Sequence, residues 1–265
     1  MSSELIFVTG ATGFIGAATA LEALKAGYRL RISVRKEAQI KKLKSVFSEY
    51  LQRLDFVVVP DITSENAFAG KLEGVDYVLH LASPFPSSIN KEDVFPPAVN
   101  GTISILKAAA SVPSIKRVVI TSSILALKPL SGIPEGGVVK EDNDWDFSVD
   151  ESADFTGENN AVTAFRLYEA SKLLANKASW KFMGSEKPHF SLITIHPSFV
   201  YGHNILQTTA EELKGSTNGL LFNAIMNDAP MNSTNCIHVQ DVADAHIKAF
   251  NPAVKDNSSF MVTVG

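Results

Sequence analysis

The chain has 265 residues, which is enough for one large α/β domain or for one domain with a small additional lobe. Hydrophobic residues make up 45% of it and charged residues 20%, so fibrous and disordered classes are excluded. Because 24 basic and 28 acidic residues leave a formal net charge of −4, we expect neither nucleic acid nor an anionic membrane surface as a partner.

The cysteine and histidine content gives no sign of a disulfide or a metal site. Cys236 is the single cysteine, so no intramolecular disulfide can form. No histidines stand at metal-ligand spacing, and we interpret as structural His196, His203, His238 and His246. The sequence begins without a basic leader and contains no apolar run of membrane-spanning length, which predicts a cytoplasmic protein.

The first predicted strand leads into a glycine-rich turn and then a helix. The apolar run Leu5–Phe7 precedes Val8–Gly16, whose glycines allow a sharp turn, close approach of the backbone to a phosphate, and tight packing of the helix. The free N–H groups at the start of such a helix face an anion. Since the helix is amphipathic and ends near Gly27, we expect a dinucleotide pyrophosphate here rather than an ordinary turn. The predicted contacts are Gly10, Thr12, Gly13, Phe14, Ile15 and Gly16.

The second predicted strand, Tyr28–Val34, ends in a basic residue where an NAD site would carry an acid on the ribose 2′-hydroxyl. An acid would repel a 2′-phosphate, whereas the guanidinium of Arg35 can grip one through two parallel hydrogen bonds. We therefore predict NADP(H) as the cofactor, with Arg35 as the main clamp and Lys42 as a helper from the next helix. Most of the other lysines nearby are interpreted as a solvated helix face.

The third and fourth predicted strands, Phe56–Val59 and Val75–Leu81, are apolar throughout, as expected for parallel strands covered by helices on both faces. Ligands of open α/β sheets lie beyond the carboxyl ends of the strands. The predicted adenine and ribose neighbours are therefore Asp61, Ile62, Leu81, Ala82 and Ser83. His80, one residue inside its strand, is interpreted as a packed core side chain.

A predicted helix over Val94–Ala110 leads to a fifth strand, Lys116–Ile120. That strand ends in Thr121, Ser122 and Ser123. The stretch from Leu127 to Thr163 is irregular and acidic, and a loop of this length inside a domain is usually functional, as a lid or a substrate wall. A second long helix is predicted over Ala164–Phe182.

The remaining elements complete the predicted fold. A sixth strand over Phe190–Ile195 is followed by Pro197 and Ser198, a short strand then turns into a helix capped by Asp241, and Phe260–Val264 forms the last strand. Together the elements predict an α/β fold, a Rossmann-type doubly wound parallel sheet with a small C-terminal substrate lobe. Residues 1–198 would form the NADP-binding domain that carries the catalytic residues. Residues 199–265 would form a partial substrate lobe, interleaved with the last Rossmann elements over about 237–265.

Tyr168 and Lys172 are spaced by four in the second long helix, so both side chains lie on one helix face about one turn apart. An ammonium beside a phenol favours the phenolate, which lets the tyrosine exchange a proton near neutrality. Such pairs are common by chance and also occur on plain surface helices. The pair becomes specific only together with the glycine turn and the serines at the end of the fifth strand.

This combination resembles a known family. Thr9–Gly16, Thr121–Ser123 and Tyr168–Lys172 together resemble the extended short-chain dehydrogenase/reductases. Within that family the chain is similar to the dihydroflavonol reductase group, which includes yeast and fungal NADPH-dependent aldehyde and ketone reductases. The segments that carry this closer resemblance are Leu79–Phe85, Pro97–Thr102 and His238–His246. The resemblance covers nearly the whole chain.

The resemblance implies a role for each matching residue. Tyr168 would protonate the carbonyl oxygen, and Lys172 would hold the nicotinamide ribose and assist the tyrosine. Ser123 would hydrogen-bond the substrate carbonyl, with Ser122 as the other candidate, and Asn100 matches an asparagine that supports a proton relay in shorter relatives. Further cofactor contacts would come from Thr121, Pro197 and Ser198. The reaction would be hydride transfer from NADPH to an aldehyde or ketone, in a monomer or homodimer.

Two other functions compete with carbonyl reduction. A sugar-nucleotide epimerase or dehydratase uses the same scaffold, but the apolar run Ile124–Leu127 after Ser123 argues against elimination, and the basic Arg35 argues against tightly retained NAD. A non-catalytic NADP-sensing or scaffold protein would not need Tyr168 and Lys172, which are both present.

The C-terminal part of the chain leaves the substrate undetermined. Family members continue past the strand at Phe260–Val264, so we expect a naturally short protein, a truncated chain, or a partner chain that supplies the missing cover. Specificity would come from residues 125–163 and 203–235. Phenylalanines in or near these segments favour an apolar or aromatic ketone, although they are equally compatible with a core.

Overall fold

Seven parallel strands form one sheet in the order β3-β2-β1-β4-β5-β6-β9 in the computed structural model, which describes residues 4–83, 88–227 and 235–264. The strands of this sheet are β1 (Leu5–Thr9), β2 (Arg29–Val34), β3 (Leu54–Val58), β4 (Tyr77–His80), β5 (Arg117–Thr121), β6 (Ser191–Pro197) and β9 (Ser258–Val262). A separate parallel pair is formed by β7 (Phe199–Tyr201) and β8 (Cys236–His238). The helices are α1 (Phe14–Lys25), α2 (Gln39–Val46), α3 (Phe95–Ala110), α4 (Asn160–Glu186), α5 (Thr217–Met226) and α6 (Val239–Lys248).

Both faces of the central strands β1, β4, β5 and β6 are buried, which confirms the predicted doubly wound α/β fold. In β1, Ile6 and Val8 pack into one apolar cluster with α1, whereas Leu5 and Phe7 pack into another with α3. Successive strand residues point to opposite faces, so helices must cover both sides. The strand order reverses between β1 and β4, and the crevice beyond their carboxyl ends is the expected ligand position.

Several predicted element ends move by a few residues. The third strand begins at Leu54 rather than Phe56, and α4 begins at Asn160 rather than Ala164. Asn159 caps α4, because its side-chain oxygen accepts the backbone N–H groups of residues 161 and 162.

The predicted cap of the last helix is wrong. Nδ1 of His238 accepts the N–H of Gln240 at 3.2 Å and therefore caps α6, while Asp241 lies inside the first turn. A carboxylate in the first turn still stabilises the helix, because it interacts favourably with the positive end of the helix dipole. Asp241 therefore favours the start of α6 without being its cap.

Residues 128–159 contain neither helix nor strand, as predicted for this stretch. Aspartate side chains organise its turns by accepting N–H groups two residues ahead, as Asp146, Asp150 and Asp154 do. Phe155 packs edge-on against Phe95 of α3, with ring centroids 5.3 Å apart, which anchors the end of this stretch. No helix in the described part of the chain is long and apolar enough to cross a membrane.

Candidate active site

A broad cleft opens at the carboxyl ends of the central strands. It brings together the glycine turn, the end of β5, the middle of α4 and the end of β6. The predicted site residues that line it are Gly10, Gly13, Phe14, Ile15, Gly16, Leu81, Ser83, Thr121, Ser122, Ser123, Tyr168, Lys172, Pro197 and Ser198. Predicted site residues separated by up to 188 positions in sequence, from Gly10 to Ser198, thus share one cleft.

Each of the three glycines in the turn has a different structural role. Gly10 has φ of +79°, and a Cβ there would lie 2.5 Å from the backbone nitrogen of Ala82. A Cβ on Gly16 would overlap the carbonyl oxygen of Gly10. Gly13 is exposed, and a Cβ there would meet only the Gly10 oxygen at 3.4 Å. Packing therefore requires Gly10 and Gly16, whereas the missing side chain of Gly13 leaves the turn open towards the cleft.

The start of α1 is left open for an anion. Gly13 is its N-cap and supplies no side-chain acceptor, and the first turn contains no acidic residue. The N–H of Gly13 donates to Gly10 at 2.9 Å, which fixes the turn without using the N–H groups of the first helical turn. A phosphate placed in the cleft would satisfy these donors.

Ser123 is held by a short 3₁₀ turn, residues 124–127, directly after β5. Its Oγ accepts the N–H of Leu125 at 3.2 Å, and only 8% of the residue is exposed. Ser122 donates its N–H to Ile195 at 2.7 Å, which extends the contact of this strand end with β6. Ser122 borders both the cleft and an interior cavity, whereas Ser123 borders the cleft.

Tyr168 and Lys172 lie on one face of α4. Nζ of Lys172 lies 5.3 Å from the centroid of the Tyr168 ring and donates to Oγ of Ser83 at 2.9 Å. Lys172 is only 8% exposed, so its charge acts in a largely water-excluded place. Asn100, in contrast, is exposed on α3.

The predicted adenosine contacts are distributed around the cleft. Thr12 and Lys42 line a neighbouring cleft, where Nζ of Lys42 forms an ion pair with Glu212 at 3.3 Å. Ile62 and Ala82 border the interior cavity.

Arg35 and Asp61 are exposed beyond the ends of β2 and β3. Hydrogen bonds from the hydroxyl and backbone N–H of Thr63, with a smaller contribution from the Arg35 charge, hold the pKa of Asp61 below its ordinary value. The charge of Arg35 thus acts on the carboxylate of Asp61, at the ends of the two strands where the adenosine is predicted.

Three buried histidines lie at or beside the carboxyl ends of the central strands, and each forms a hydrogen bond with a threonine. His80 contacts Thr9 at 2.9 Å, His196 contacts Thr194 at 2.9 Å, and His246 contacts Thr121 at 2.7 Å. Burial lowers the pKa of each to about 4. No group of three or more acidic, histidine or cysteine side chains in the described ranges could hold a metal ion.

Sequence reasoning missed the partners of these histidines. Thr194 and His196 alternate along β6 and so share one face, which was a usable signal. Asn176, one turn beyond Lys172, was also missed, although its spacing from Tyr168 and Lys172 places it on their helix face. Two residues of the family motif, Pro84 and Phe85, lie outside the described residues.

Comparison with known proteins gives consistent matches. The model of the NAD dependent epimerase/dehydratase family matches residues 6–265. Ketoreductase sphI of Aspergillus fumigatus is 53% identical over 266 residues, which cover 99% of this chain and 79% of that protein. Aldehyde reductase 2 of Sporidiobolus salmonicolor is 33% identical over 221 residues, which cover 83% of this chain and 63% of that protein. The structure of Gre2 from Candida albicans in complex with NADPH has a TM-score of 0.83 at 29% identity, and the match covers 99% of this chain and 78% of that one.

Proposed function

This chain belongs to the NAD dependent epimerase/dehydratase family, and from that premise we propose that it is an oxidoreductase that reduces an aldehyde or ketone to an alcohol with NADPH. The observation that carries the proposal is the single cleft in which Ser123, Tyr168 and Lys172 face the glycine turn. The similarity to a ketoreductase, an aldehyde reductase and an NADPH-bound reductase structure supports the same reaction.

The residues present fit a dinucleotide phosphate cofactor. The open face at Gly13 and the uncapped start of α1 would receive the pyrophosphate, and Arg35 would bind the 2′-phosphate. The ion pair with Glu212 occupies Lys42, so Arg35 would be the main clamp and Lys42 would assist only when that pair opens. NADPH, when bound, supplies the hydride that adds to the carbonyl carbon.

The protein's own groups would handle the carbonyl oxygen. The hydroxyl of Ser123 would donate a hydrogen bond to this oxygen, because its Oγ already accepts from Leu125 and its hydrogen is free for the cleft. Tyr168 would donate its phenolic proton to the same oxygen as the alcohol forms. The ammonium of Lys172, held by Ser83, would stabilise the phenolate that remains.

The lining of the cleft favours an uncharged, apolar substrate. Among the described residues that line it, Lys172 carries the only charge. Apolar walls are provided by Ile124, Leu125, Phe165, Phe199 and Val200. A carboxylate or phosphate on the substrate would find no additional cation there, so we infer an apolar or aromatic aldehyde or ketone.

The competing epimerase or dehydratase chemistry makes a distinct demand on the site. Elimination needs a second acid or base near Ser123, and the 3₁₀ turn that follows it carries only apolar side chains over Ile124–Leu127.

We also infer the division into a cofactor domain, residues 1–198, and a partial substrate lobe, residues 199–265, in a protein that acts on a small molecule as a monomer or homodimer.

The direct test is an NADPH-oxidation screen over aldehydes, diketones, ketoesters and flavonoid-like ketones, with NADH run in parallel. We expect turnover of at least one apolar carbonyl with a clear preference for NADPH. Absence of NADPH oxidation with every class, together with release of tightly bound NAD on denaturation, would instead support the epimerase alternative.

A further inference from the structure

A chain of hydrogen bonds runs behind Ser123, from the edge strand β9 through β6. Oγ of Ser259 and Oγ1 of Thr194 are 2.8 Å apart, and Oγ1 of Thr194 is 2.9 Å from Nε2 of His196. Nδ1 of His196 then lies 3.0 Å from the carbonyl oxygen of Ser123. His196 is fully buried and Thr194 is 1% exposed, so water does not compete for these contacts.

Each hydrogen bond in this chain has one direction. The carbonyl of Ser123 can only accept, so Nδ1 of His196 carries the hydrogen and donates it. Burial lowers the pKa of His196 to about 4, so the ring is neutral and its Nε2 is a bare acceptor. Thr194 must therefore donate to Nε2, and its oxygen accepts from Ser259. The partners on β6 and β9 thus fix the tautomer of the histidine.

The His196 contact attaches the turn after β5 to the sheet. The carbonyl of Ser123 also accepts the N–H of Ala126 at 3.0 Å, which closes the 3₁₀ turn on itself. Besides the contact of Ser122 with Ile195, the His196 side chain gives this turn a hydrogen bond to β6. Since Oγ of Ser123 is in turn fixed by Leu125, the position of the whole turn determines where the serine hydroxyl lies in the cleft.

We propose that His196 is a positioning residue for Ser123, which it holds through Nδ1–H, and that Thr194 and Ser259 keep its ring in the tautomer this requires. The inference rests on the proposed function, because it assumes that Ser123 binds the substrate carbonyl. It goes beyond that function by giving a buried histidine outside the cleft a part in the reaction. A hydroxyl displaced by about 1 Å can cost about 100-fold in rate, so a remote link of this kind has a measurable effect.

The kinetic test uses a graded series of variants. His196→Leu removes the donor and should lower kcat by about 10- to 100-fold, while the Kd for NADPH, measured by its fluorescence, is unchanged. His196→Asn keeps an N–H at the position of Nδ1 and should restore most of the lost kcat. Thr194→Val should lower kcat less than His196→Leu, and Ser259→Ala less again. Leu106→Ala, on the buried face of α3, is the matched control that should lower the melting temperature without lowering kcat.

A spectroscopic readout tests the link independently of activity. In ¹⁵N spectra of the imidazole groups near pH 7, the signals that disappear in His196→Asn should report a neutral ring with hydrogen on Nδ1. Hydrogen on Nε2 would overturn the proposal, as would full kcat in both His196→Leu and Thr194→Val. Wild-type protein that reduces no carbonyl would contradict the proposed function instead, and Ser123→Ala with unchanged kcat would contradict the role of the serine.

Discussion

The cofactor half and the substrate half of the cleft are built in different ways. The part of the cofactor half proposed to hold the pyrophosphate is one short segment, Gly10–Gly16, whose shape follows from backbone geometry and from two glycines that allow no side chain. The substrate half is assembled from side chains of distant segments, among them Leu125, Phe165 and Phe199. In the proposed function, local rules of the backbone would therefore determine where the pyrophosphate binds, whereas tertiary packing would determine which carbonyl compound is reduced.

The two halves also differ in the exposure of the apolar side chains on their helices. On α5, whose first residue, Thr217, lines the cleft, Leu220 is 54% exposed and Ile225 is 71% exposed. In the cofactor half, the helix α1 buries Ala17, Ala20 and Leu24 completely. Apolar side chains on the substrate side are thus available for an apolar ligand or for further protein cover.

The largest expected effect falls where the two halves meet. Tyr168→Phe removes the proposed proton donor and should lower kcat by about 10²- to 10⁴-fold, with the Kd for NADPH unchanged. Tyr50→Phe, in the turn before β3, is the control and should keep full activity. A Tyr168→Phe variant with near-wild-type kcat would remove this tyrosine from the mechanism.

Two glycine variants separate packing from binding in the cofactor half. Gly16→Ala forces a Cβ against the backbone of Gly10 and should cost about 1–3 kcal/mol of stability or more, measured by urea unfolding. Gly13→Ala has space for its methyl group and should fold normally, yet it should bind NADPH more weakly because the methyl group narrows the turn. Equal loss of stability in both variants would contradict this distinction.

Substitution of Arg35 tests whether this residue causes a preference for NADPH over NADH. Arg35→Ala removes a charged hydrogen-bond donor to the 2′-phosphate and should reduce the ratio of NADPH to NADH efficiency by about 10- to 100-fold. Arg29→Ala, at the other end of β2, is the matched control and should leave the ratio unchanged. An unchanged ratio in Arg35→Ala would assign the preference to another residue.

The three buried histidines should make the stability of the protein depend on pH. His80, His196 and His246 have folded pKa values of about 4 against 6.5 for an unperturbed side chain. The unfolded chain therefore binds more protons between pH 6.5 and 4, so the free energy of unfolding should fall as the pH is lowered through this window. Urea unfolding of wild type and His80→Asn checks the slope, with the exposed His189→Asn as control. A flat profile across this window would show that these rings are not kept neutral by burial.

The sequence predicted the parts of the site that depend on local rules. The glycine turn, the strand ends and the Tyr168–Lys172 spacing each follow from short segments with known backbone periods. The cap of α6 was placed at Asp241 because aspartate is the commoner cap, and the structure instead uses His238.

Long-range contacts could not be predicted in the same way. The pairs Lys42–Glu212 and Ser123–His196 join residues 170 and 73 positions apart. No period in the sequence links such residues, and only the packed fold brings them together.

The central claim is that the bound substrate gains a hydride and Tyr168 supplies the accompanying proton. The most direct measurement uses NADPH labelled with deuterium at the transferring position of C4, with an active carbonyl from the screen, and analyses the product by mass spectrometry and NMR. The account predicts one deuterium on the new carbinol carbon and one NADPH oxidised per alcohol formed. A product that carries no label, or that forms without net oxidation of NADPH, would contradict carbonyl reduction and support the epimerase or dehydratase alternative.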